Sequence, residues 1–278
     1  AKGNDCGKEE NSTKEIFKID QLSFSYTENI PILKDLNLTV NSCPTAIIGQ
    51  NGAGKTTLVK LLKGLLKPVS GSIYYGGENM AEKTVAMLAG EIGYVFQNPD
   101  DQIFKYHVID EVMFGPLNIG MTNEQAKEKA MQALSTVGLQ NLADENPYDL
   151  ELSERKLVAI ASVLAMDTAV LILDEPTIAQ DYKGRTIIGS IIKKLSSEGR
   201  TVIAILHDMD FVAENFERII VMAHGQILAD GTKEEVFSRQ DILHQAHIDQ
   251  PYLTKLCTKL GYQNLYFDIK DIGYNTTK

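Results

Sequence analysis

The sequence predicts an α/β fold with a mainly parallel sheet, an antiparallel β subdomain near the N-terminus and an inserted helical subdomain. Three short apolar segments rich in β-branched residues, at 45–48, 170–173 and 202–206, are typical of buried strands. Segments with helical spacing of apolar residues separate them, and strands that alternate with helices favour a parallel sheet. The length of 278 residues fits one large domain or two smaller ones.

Composition narrows the class of protein. Hydrophobic residues make up 44% and charged residues 23%, which excludes a wholly disordered, collagen-like or disulfide-scaffold chain. The net charge of −10 argues against a domain-wide basic surface for nucleic acid. The longest apolar stretch, 157–173, is interrupted by Asp167 and is shorter than the ~20 residues of a membrane span. Cys6, Cys43 and Cys257 lack metal-ligand spacing and favour a reducing compartment.

The first structural element is expected after a polar N-terminal tail. Residues 1–15 are polar enough to be a loose tail or a tag remnant, and strand patterning begins at Ile16. Apolar and polar residues alternate over 36–40, which predicts a half-buried strand in an antiparallel sheet. The strand at 45–48 then leads through glycines into a helix that Pro68 ends.

Helices are predicted over most of the middle of the chain. Thr122 and Gln125 form a capping-box pattern, and Gly138 stands where that helix would end. We expect a helical subdomain over about 105–165 and another helix over 187–195.

The C-terminal part contains three local signals. Gly225 predicts a hairpin, and Thr232 with Glu235 forms a second capping box. Apolar residues at helical spacing over 253–260 predict a last amphipathic helix. Residues 232–278 are therefore expected to form a C-terminal helical extension.

A phosphate-binding loop is the most specific motif. The pattern G-x-x-x-x-G-K-[ST] falls between a buried strand and a helix, which is the context that the mechanism requires. Glycines let successive N–H groups face the phosphates, a lysine reaches the β- and γ-phosphates, and a hydroxyl binds Mg²⁺. The predicted nucleotide-binding residues here are Gly49, Gln50, Asn51, Gly52, Ala53, Gly54, Lys55, Thr56 and the following Thr57, with Lys55 and Thr56 in the last two roles.

Two carboxylates follow the strand at 170–173. Asp174 is expected to steady Mg²⁺ through water, and Glu175 to face the attacking water. In isolation, a solvated strand end before Pro176 would be the simpler interpretation. Together with the phosphate loop, the pair predicts an enzyme that binds and hydrolyses ATP with Mg²⁺.

In chain order, the motifs from about residue 16 to 231 resemble those of the ABC-type ATPases. The resemblance implies that Tyr26 stacks on adenine and that Gln97 contacts Mg²⁺ and the attacking water. It implies that Asp181 acts across a dimer and that His207 contacts the γ-phosphate. Taken alone, Tyr26 and His207 would more simply be a packed aromatic and a strand-end histidine.

The run 96–104, Phe-Gln-Asn-Pro-Asp-Asp-Gln-Ile-Phe, resembles the energy-coupling-factor ATPases, which drive uptake of vitamins and transition-metal ions. This resemblance implies that the region of Gln97, Asp100, Asp101 and Gln102 meets a transmembrane coupling protein. A substrate-binding membrane subunit would be an indirect partner, and the chain would lie on the cytoplasmic side of the cell membrane. The C-terminal helix resembles the extension through which two such ATPases meet.

The signature motif departs from the family pattern L-S-G-G-[QE]-x-x-x-V-A-I-A. Leu152-Ser153 is followed at once by Glu154, and the distance from Ser153 to Val158 is five positions instead of seven. We interpret this as a two-residue deletion that weakens the contact of Ser153 with the nucleotide of the other subunit. The hypothesis is a heterodimer with a paralogue whose signature is intact; a cation from Arg155 or Lys156, or an altered sequence, is the alternative.

The motifs leave other functions open. A mainly regulatory nucleotide-binding partner, or the ATPase of another ABC importer, fits the same motifs. A soluble ABC ATPase of DNA repair or translation is disfavoured, because no coiled-coil insert, tandem cassette or basic surface is apparent.

Overall fold

The computed structural model describes residues 14–28, 30–262 and 264–272. The chain divides into two compact units. Among the described residues, unit 1 contains those up to 62, then 66–81 and those from 205 to 272; unit 2 contains 63–65 and 82–204. Most of the tail expected at 1–15 lies outside the described residues, and the first strand already begins at Glu15.

Strands occupy ten segments of the described residues. In chain order they are β1 (Glu15–Ser25), β2 (Pro31–Asn41), β3 (Thr45–Ile48), β4 (Ser70–Tyr75), β5 (Glu78–Asn79), β6 (Ile92–Val95), β7 (Val170–Asp174), β8 (Thr201–Ile205), β9 (Arg218–Ala223) and β10 (Gln226–Thr232). The three buried strands that the sequence predicts correspond to β3, β7 and β8, each shifted by at most one residue at its ends.

Helices of the described residues are mostly short. In chain order they are α1 (Lys55–Leu62), α2 (Val85–Leu88), α3 (Val108–Asn118), α4 (Asn123–Val137), α5 (Leu152–Leu164), α6 (Tyr182–Ser197), α7 (Met209–Asn215), α8 (Lys233–Ser238), α9 (Gln240–Gln245), α10 (Tyr252–Lys259) and α11 (Ile269–Ile272). None of the helices in these described segments is both long and apolar enough to cross a membrane.

Unit 1 contains the predicted antiparallel sheet, with strand order β2-β1-β4-β5. Ile19 of β1 is paired with Leu38 on one side and with Ile73 on the other. The alternating apolar side chains of β1 and β2 are buried, as their period of two requires. The half-buried antiparallel strand predicted over 36–40 is therefore confirmed.

Beside it in unit 1, β3 runs parallel to β9, and β9 pairs antiparallel with β10. The β9–β10 hairpin turns at His224 and Gly225, which have φ angles of 50° and 78°. A Cβ at Gly225 would lie 2.1 Å from the carbonyl oxygen of Ile32. The N–H of Gly225 donates to the carbonyl of Ala53 at 3.2 Å, so the predicted hairpin is present and braces the glycine loop after β3.

Unit 2 combines buried strands with packed helices. β6 runs parallel to β7, and β7 lies next to β8. The helices α3, α4 and α5 pack on one another over the range where the helical subdomain was expected. Thr122 and Gln125 form the predicted capping box of α4, and Gly138 ends it at a φ of 77°.

The C-terminal segment of unit 1 is tied down by side chains. Thr232 and Glu235 form the second predicted capping box, at the start of α8. The backbone N–H of Tyr252 donates to Asp210 at 2.7 Å, and the Thr254 hydroxyl donates to the carbonyl of Tyr266 at 2.7 Å. Cys43 and Cys257 are buried, and Cys6 lies outside the described residues.

Candidate functional site

The phosphate loop of unit 1 lies between β3 and α1. Gly49, Gly52 and Gly54 have φ angles of 153°, 80° and 98°, a region that residues with a Cβ rarely adopt. A Cβ at Gly49 would lie 2.1 Å from the carbonyl oxygen of Met222. The backbone curl that phosphate binding needs is thus possible only with glycine at this position.

Lys55, the first residue of α1, is held within this loop. Its side chain is buried, and its Nζ donates to the carbonyls of Gly49 at 2.6 Å and Gln50 at 3.0 Å. Thr56 follows in the first helical turn, where backbone N–H groups and the helix dipole favour an anion. The loop therefore combines the Lys55 ammonium with the N-terminus of a helix, and its contact with phosphate stays a prediction.

Tyr26 and His207 are exposed residues of unit 1. The Tyr26 ring packs edge-on against Phe24 at 4.9 Å, and its hydroxyl lies 3.5 Å from that of Thr57. Since 60% of Tyr26 is exposed, its ring has a face available for stacking on a base. His207 follows β8 and precedes Asp208, whose side chain caps α7.

In unit 2, the two carboxylates follow one another at the end of β7. Asp174 is 1% exposed and accepts a hydrogen bond from the Tyr94 hydroxyl at 2.9 Å. Glu175 has a φ of 50°, and its Oε2 accepts a hydrogen bond from Nε2 of Gln97 at 2.9 Å. The structure thus brings together Gln97 and Glu175, two of the three predicted catalytic residues.

Lys156 of α5 also lies in this region, which the sequence did not predict. Its Nζ donates to the backbone carbonyl of Glu175 at 2.6 Å, within unit 2. Burial lowers the pKa of Lys156, and the carboxylates of Glu175 and Asp174 oppose that shift. Its helical spacing from buried Ile160 and Val163 is the signal that could have predicted an inward-facing cation.

The start of α5 revises our interpretation of the signature motif. The helix begins at Leu152 and its N-cap is Glu151, whose backbone N–H donates to the Glu154 carboxylate at 3.1 Å. Glu151 is seven positions before Val158, the spacing that the family pattern gives its serine. The motif therefore has its full length, with Glu151, Leu152 and Ser153 at the positions of Ser-Gly-Gly. The interpretation as a two-residue deletion is replaced by one of three substitutions.

Ser153 therefore lies inside the first turn of α5 and not at its cap. Its carbonyl accepts a hydrogen bond from Nε2 of Gln180 at 2.8 Å. Asp181 caps α6 by accepting the N–H of Gly184 at 2.7 Å. The nucleotide contacts predicted for Ser153 and Asp181 stay predictions.

The residues after Gln97 form a short helix, a 3₁₀ turn over Pro99–Asp101. Asp100 and Asp101 are exposed, and Asp100 lies 3.5 Å from the guanidinium of Arg155. Gln102 is used internally: its Oε1 accepts the N–H of Phe96, and its Nε2 donates to α5 at Ala159 and Ser162. Asp100 and Asp101 therefore fit an interface better than Gln102 does.

An open groove with a volume of about 940 Å³ lies within unit 2 beside this segment. Phe104 and Phe114 pack edge to face at 4.7 Å on its wall, and the Lys105 ammonium lies over both rings. The buried carboxylate of Glu111 accepts the N–H groups of Phe104 and Lys105 at 3.0 and 2.9 Å. The two phenylalanines were not among the predicted interface residues, because only the packing of α3 brings them together.

The predicted magnesium ligands have suitable chemistry. Thr56, Gln97 and Asp174 offer a hydroxyl, an amide and a carboxylate, and Mg²⁺ prefers oxygen ligands. Within the part of the chain that the structure describes, no group of three or more His, Cys, Asp or Glu residues could hold a metal ion. Mg²⁺ in nucleotide sites commonly completes its coordination with substrate phosphates and water, and its binding to this chain stays a prediction.

A glycine loop that opens a helix after a buried strand, and a strand-end Asp-Glu pair with a glutamine on the glutamate, define a P-loop ATPase of the ABC type. The comparisons with known proteins agree. The ABC transporter family model matches residues 33–178, so the chain belongs to the ABC transporter family and is an ATP-binding, ATP-hydrolysing cassette.

Several relatives cover most of the chain. The energy-coupling factor transporter ATP-binding protein EcfA1 of Methanospirillum hungatei is 40% identical over 91% of this chain and 92% of its own length. A putative ABC transporter ATP-binding protein of Pyrococcus furiosus is also 40% identical, over 86% and 91%. CbiO1 from Clostridium perfringens, described as part of the ABC transporter complex CbiONQ, has a TM-score of 0.75 at 32% identity, over 89% and 99%.

Proposed function

We propose that this cassette energises an energy-coupling-factor importer of vitamins or transition-metal ions. It would act on the cytoplasmic face of the cell membrane with a second ATPase subunit and a transmembrane coupling protein. The observation that carries the proposal is the segment 96–104, whose sequence resembles that subfamily and which borders the groove of unit 2. The relatives named EcfA1 and CbiO1 support it.

The chemical step is in-line attack of water on the γ-phosphate. The N–H groups of the phosphate loop and the Lys55 ammonium hold the negative charge of the phosphates, and Tyr26 stacks on the adenine. Glu175 orients the attacking water and draws its proton, and Gln97 holds the Glu175 carboxylate by the observed 2.9 Å hydrogen bond. His207 contacts the γ-phosphate.

Mg²⁺ bound with the nucleotide would supply charge neutralisation for the phosphates. Thr56 and Gln97 would be its ligands, and the buried carboxylate of Asp174 would act behind them through water. The Tyr94 hydroxyl fixes the orientation of Asp174 in advance, because it donates to Oδ2 inside unit 2.

The groove of unit 2 fits an apolar segment of the coupling protein. Phe104 and Phe114 are 53% and 39% exposed, and exposed aromatic side chains are typical anchors of protein interfaces. Asp100 and Asp101 provide a negatively charged border beside them. A partner helix with an apolar face and a basic flank would complement this surface.

The ATPase partner is expected to be a different chain. The helix N-terminus of a signature motif faces the γ-phosphate of the other subunit, and here Glu151 brings a carboxylate to that position. Because like charges repel, the composite site that uses this α5 would hydrolyse ATP poorly. A paralogue with an intact signature would complete the other site. Exposed Tyr252 and Leu256 of α10 and Leu260 at its C-cap are spaced four residues apart, and a second ATPase could pack on this face.

The test is the composition and turnover of the native complex. Purification of the tagged full chain from its own membranes is expected to recover a second ATPase, an energy-coupling transmembrane protein and a substrate-binding membrane protein. The isolated chain should hydrolyse ATP weakly and the mixed pair faster. Comparable turnover by the chain alone would contradict the heterodimer, and recovery of a different type of membrane partner would favour another ABC importer.

A mainly regulatory role is the alternative, and the residue at the cap of α5 supports it. Glu151 at the cap of α5 also fits a mainly regulatory subunit that holds ATP at one degenerate site. Replacement of Glu175 by Gln separates the two functions. In an active site of this chain, E175Q should still bind ATP but trap a closed dimer without turnover; unchanged turnover of the complex would assign hydrolysis to the partner's site.

A further inference from the structure

Glu175 has a backbone conformation that its surroundings must maintain. Its φ of 50° lies in the left-handed region, which a residue with a long side chain adopts at a cost. It follows directly after the extended strand β7, so the chain changes direction at this residue. Such conformations persist at functional sites when neighbouring groups fix them.

Lys156 provides a contact of this kind from α5. Its Nζ lies 2.6 Å from the carbonyl oxygen of Glu175 and donates a hydrogen bond to it. Lys156 is 5% exposed and Glu175 is 8% exposed, so water competes little for either partner. A charge-assisted hydrogen bond in such surroundings is stronger than a neutral bond in water.

The same glutamate is also held through its side chain. Nε2 of Gln97 donates to Oε2 of Glu175 at 2.9 Å, from the loop that follows β6. The backbone contact from Lys156 and the side-chain contact from Gln97 come from different elements of unit 2. Together they restrict both the direction in which the side chain leaves the backbone and the orientation of the carboxylate.

We propose that Lys156 is a positioning residue for ATP hydrolysis, whose ammonium holds the backbone of Glu175 so that its carboxylate faces the attacking water. The inference rests on the proposed role of Glu175. Lys156 acts through Glu175 and needs no contact with the nucleotide. Since Lys156 lies just over one turn from Glu151, it also connects the signature helix to the water-orienting carboxylate of the same subunit.

The experiment measures single turnover of γ-labelled MgATP with the full chain in excess, so that slow hydrolysis is still recorded. K156M removes the donor and keeps the length of the side chain. We expect its rate constant to fall at least about tenfold while the Kd for ATP changes less than about twofold. K156R, which keeps a charged donor, should recover most of the rate. An unchanged rate in K156M would overturn the inference.

Lys63 offers a matched control. It is also a buried lysine of unit 2, and its Nζ donates to the carbonyls of Leu88 and Ile92. K63M should lose stability as K156M does but keep its rate. If K63M slows hydrolysis as much as K156M, the effect is structural and the inference fails. If K156M does not fold, K156Q takes its place in the same comparison.

The double variant K156M/E175Q separates the proposed role of Lys156 from the proposed role of Glu175. If Lys156 acts through Glu175, adding K156M to E175Q should change the residual rate by less than about twofold. If K156M lowers the rate of E175Q by as much as it lowers the rate of the wild type, the inference is contradicted. If E175Q itself hydrolyses ATP as fast as the wild type, the role of Glu175 fails, whereas a slow E175Q with a fast K156M rejects only the role of Lys156.

Discussion

Nε2 of Gln97 lies 2.9 Å from Oε2 of Glu175, although the two residues are 78 positions apart in the sequence. The contact joins the loop after β6 to the end of β7 within unit 2. One amide group therefore connects the segment that borders the groove to the carboxylate that is proposed to orient water.

Replacement of Gln97 by Ala should lower kcat at least about tenfold and leave the KM for ATP within about threefold. The Glu175 carboxylate would lose the donor that orients it, while the phosphate loop of unit 1 is unchanged. Steady-state ATP hydrolysis by the complex measures both constants. Q132A is the control, because Gln132 is an exposed glutamine of α4 whose side chain bonds only to Glu128 in α4 among the contacts described. Equal kcat values for the two variants would contradict the role of Gln97.

Gly225→Ala should destabilise unit 1 by more than Gly77→Ala. Both glycines have a positive φ, 78° and 85°, which costs alanine about 1 kcal/mol or more in either place. Only at Gly225 would the Cβ also meet a backbone oxygen, at 2.1 Å, and such overpacking adds about 1–3 kcal/mol. Denaturant unfolding of the two variants gives the comparison. Equal free energies of unfolding would show that the hairpin relaxes without cost.

Lys63 should make stability depend on pH in the alkaline range. Burial lowers the pKa of Lys63 to about 8, from a usual value of 10.5. The folded state therefore binds fewer protons than the unfolded state between these values, and the free energy of unfolding should rise as pH increases from 8 to 10.5. The contribution is at most about 3 kcal/mol. The difference between wild type and K63M, measured by denaturant unfolding at pH 8 and 10, should change accordingly; a constant difference would refute the shift.

Phe104→Ala should weaken binding of the transmembrane coupling protein at least about tenfold, as loss of a buried aromatic anchor commonly does. The variant removes half of the Phe104–Phe114 pair from the groove wall. Binding of the purified chain to the detergent-solubilised coupling protein measures the effect. V69A serves as control, because Val69 is 68% exposed and does not line the groove. If both variants bind equally well, the partner docks elsewhere.

Local signals account for most of what the sequence predicted correctly. The phosphate loop, both capping boxes and the hairpin at Gly225 each depend on residues a few positions apart, so their geometry follows from the chain nearby. The pairing of Gln97 with Glu175 was implied by the family resemblance, and not by spacing.

Long-range packing accounts for what the sequence did not predict. Lys156 reaches the carbonyl of Glu175 only because α5 packs beside the end of β7, and an isolated lysine in an apolar run gives no partner. The helix start at Glu151 depends on its capping geometry, which moved the signature motif by two positions. Gln102 was predicted to lie at the interface with the coupling protein, but its amide donates hydrogen bonds inside unit 2.

Four residues spaced three positions apart along α5 make hydrogen bonds to other parts of unit 2. Lys156 donates to Glu175, Ser153 accepts from Gln180, and Ala159 and Ser162 accept from Gln102. Because the four residues lie near one another on the surface of one continuous helix, a shift of α5 along its axis would displace these contacts together. A partner that displaced Gln102 in the groove would therefore also change the position of the Glu175 carbonyl, through α5. Binding of the partner and hydrolysis of ATP would then be coupled within unit 2, without a change in the phosphate loop.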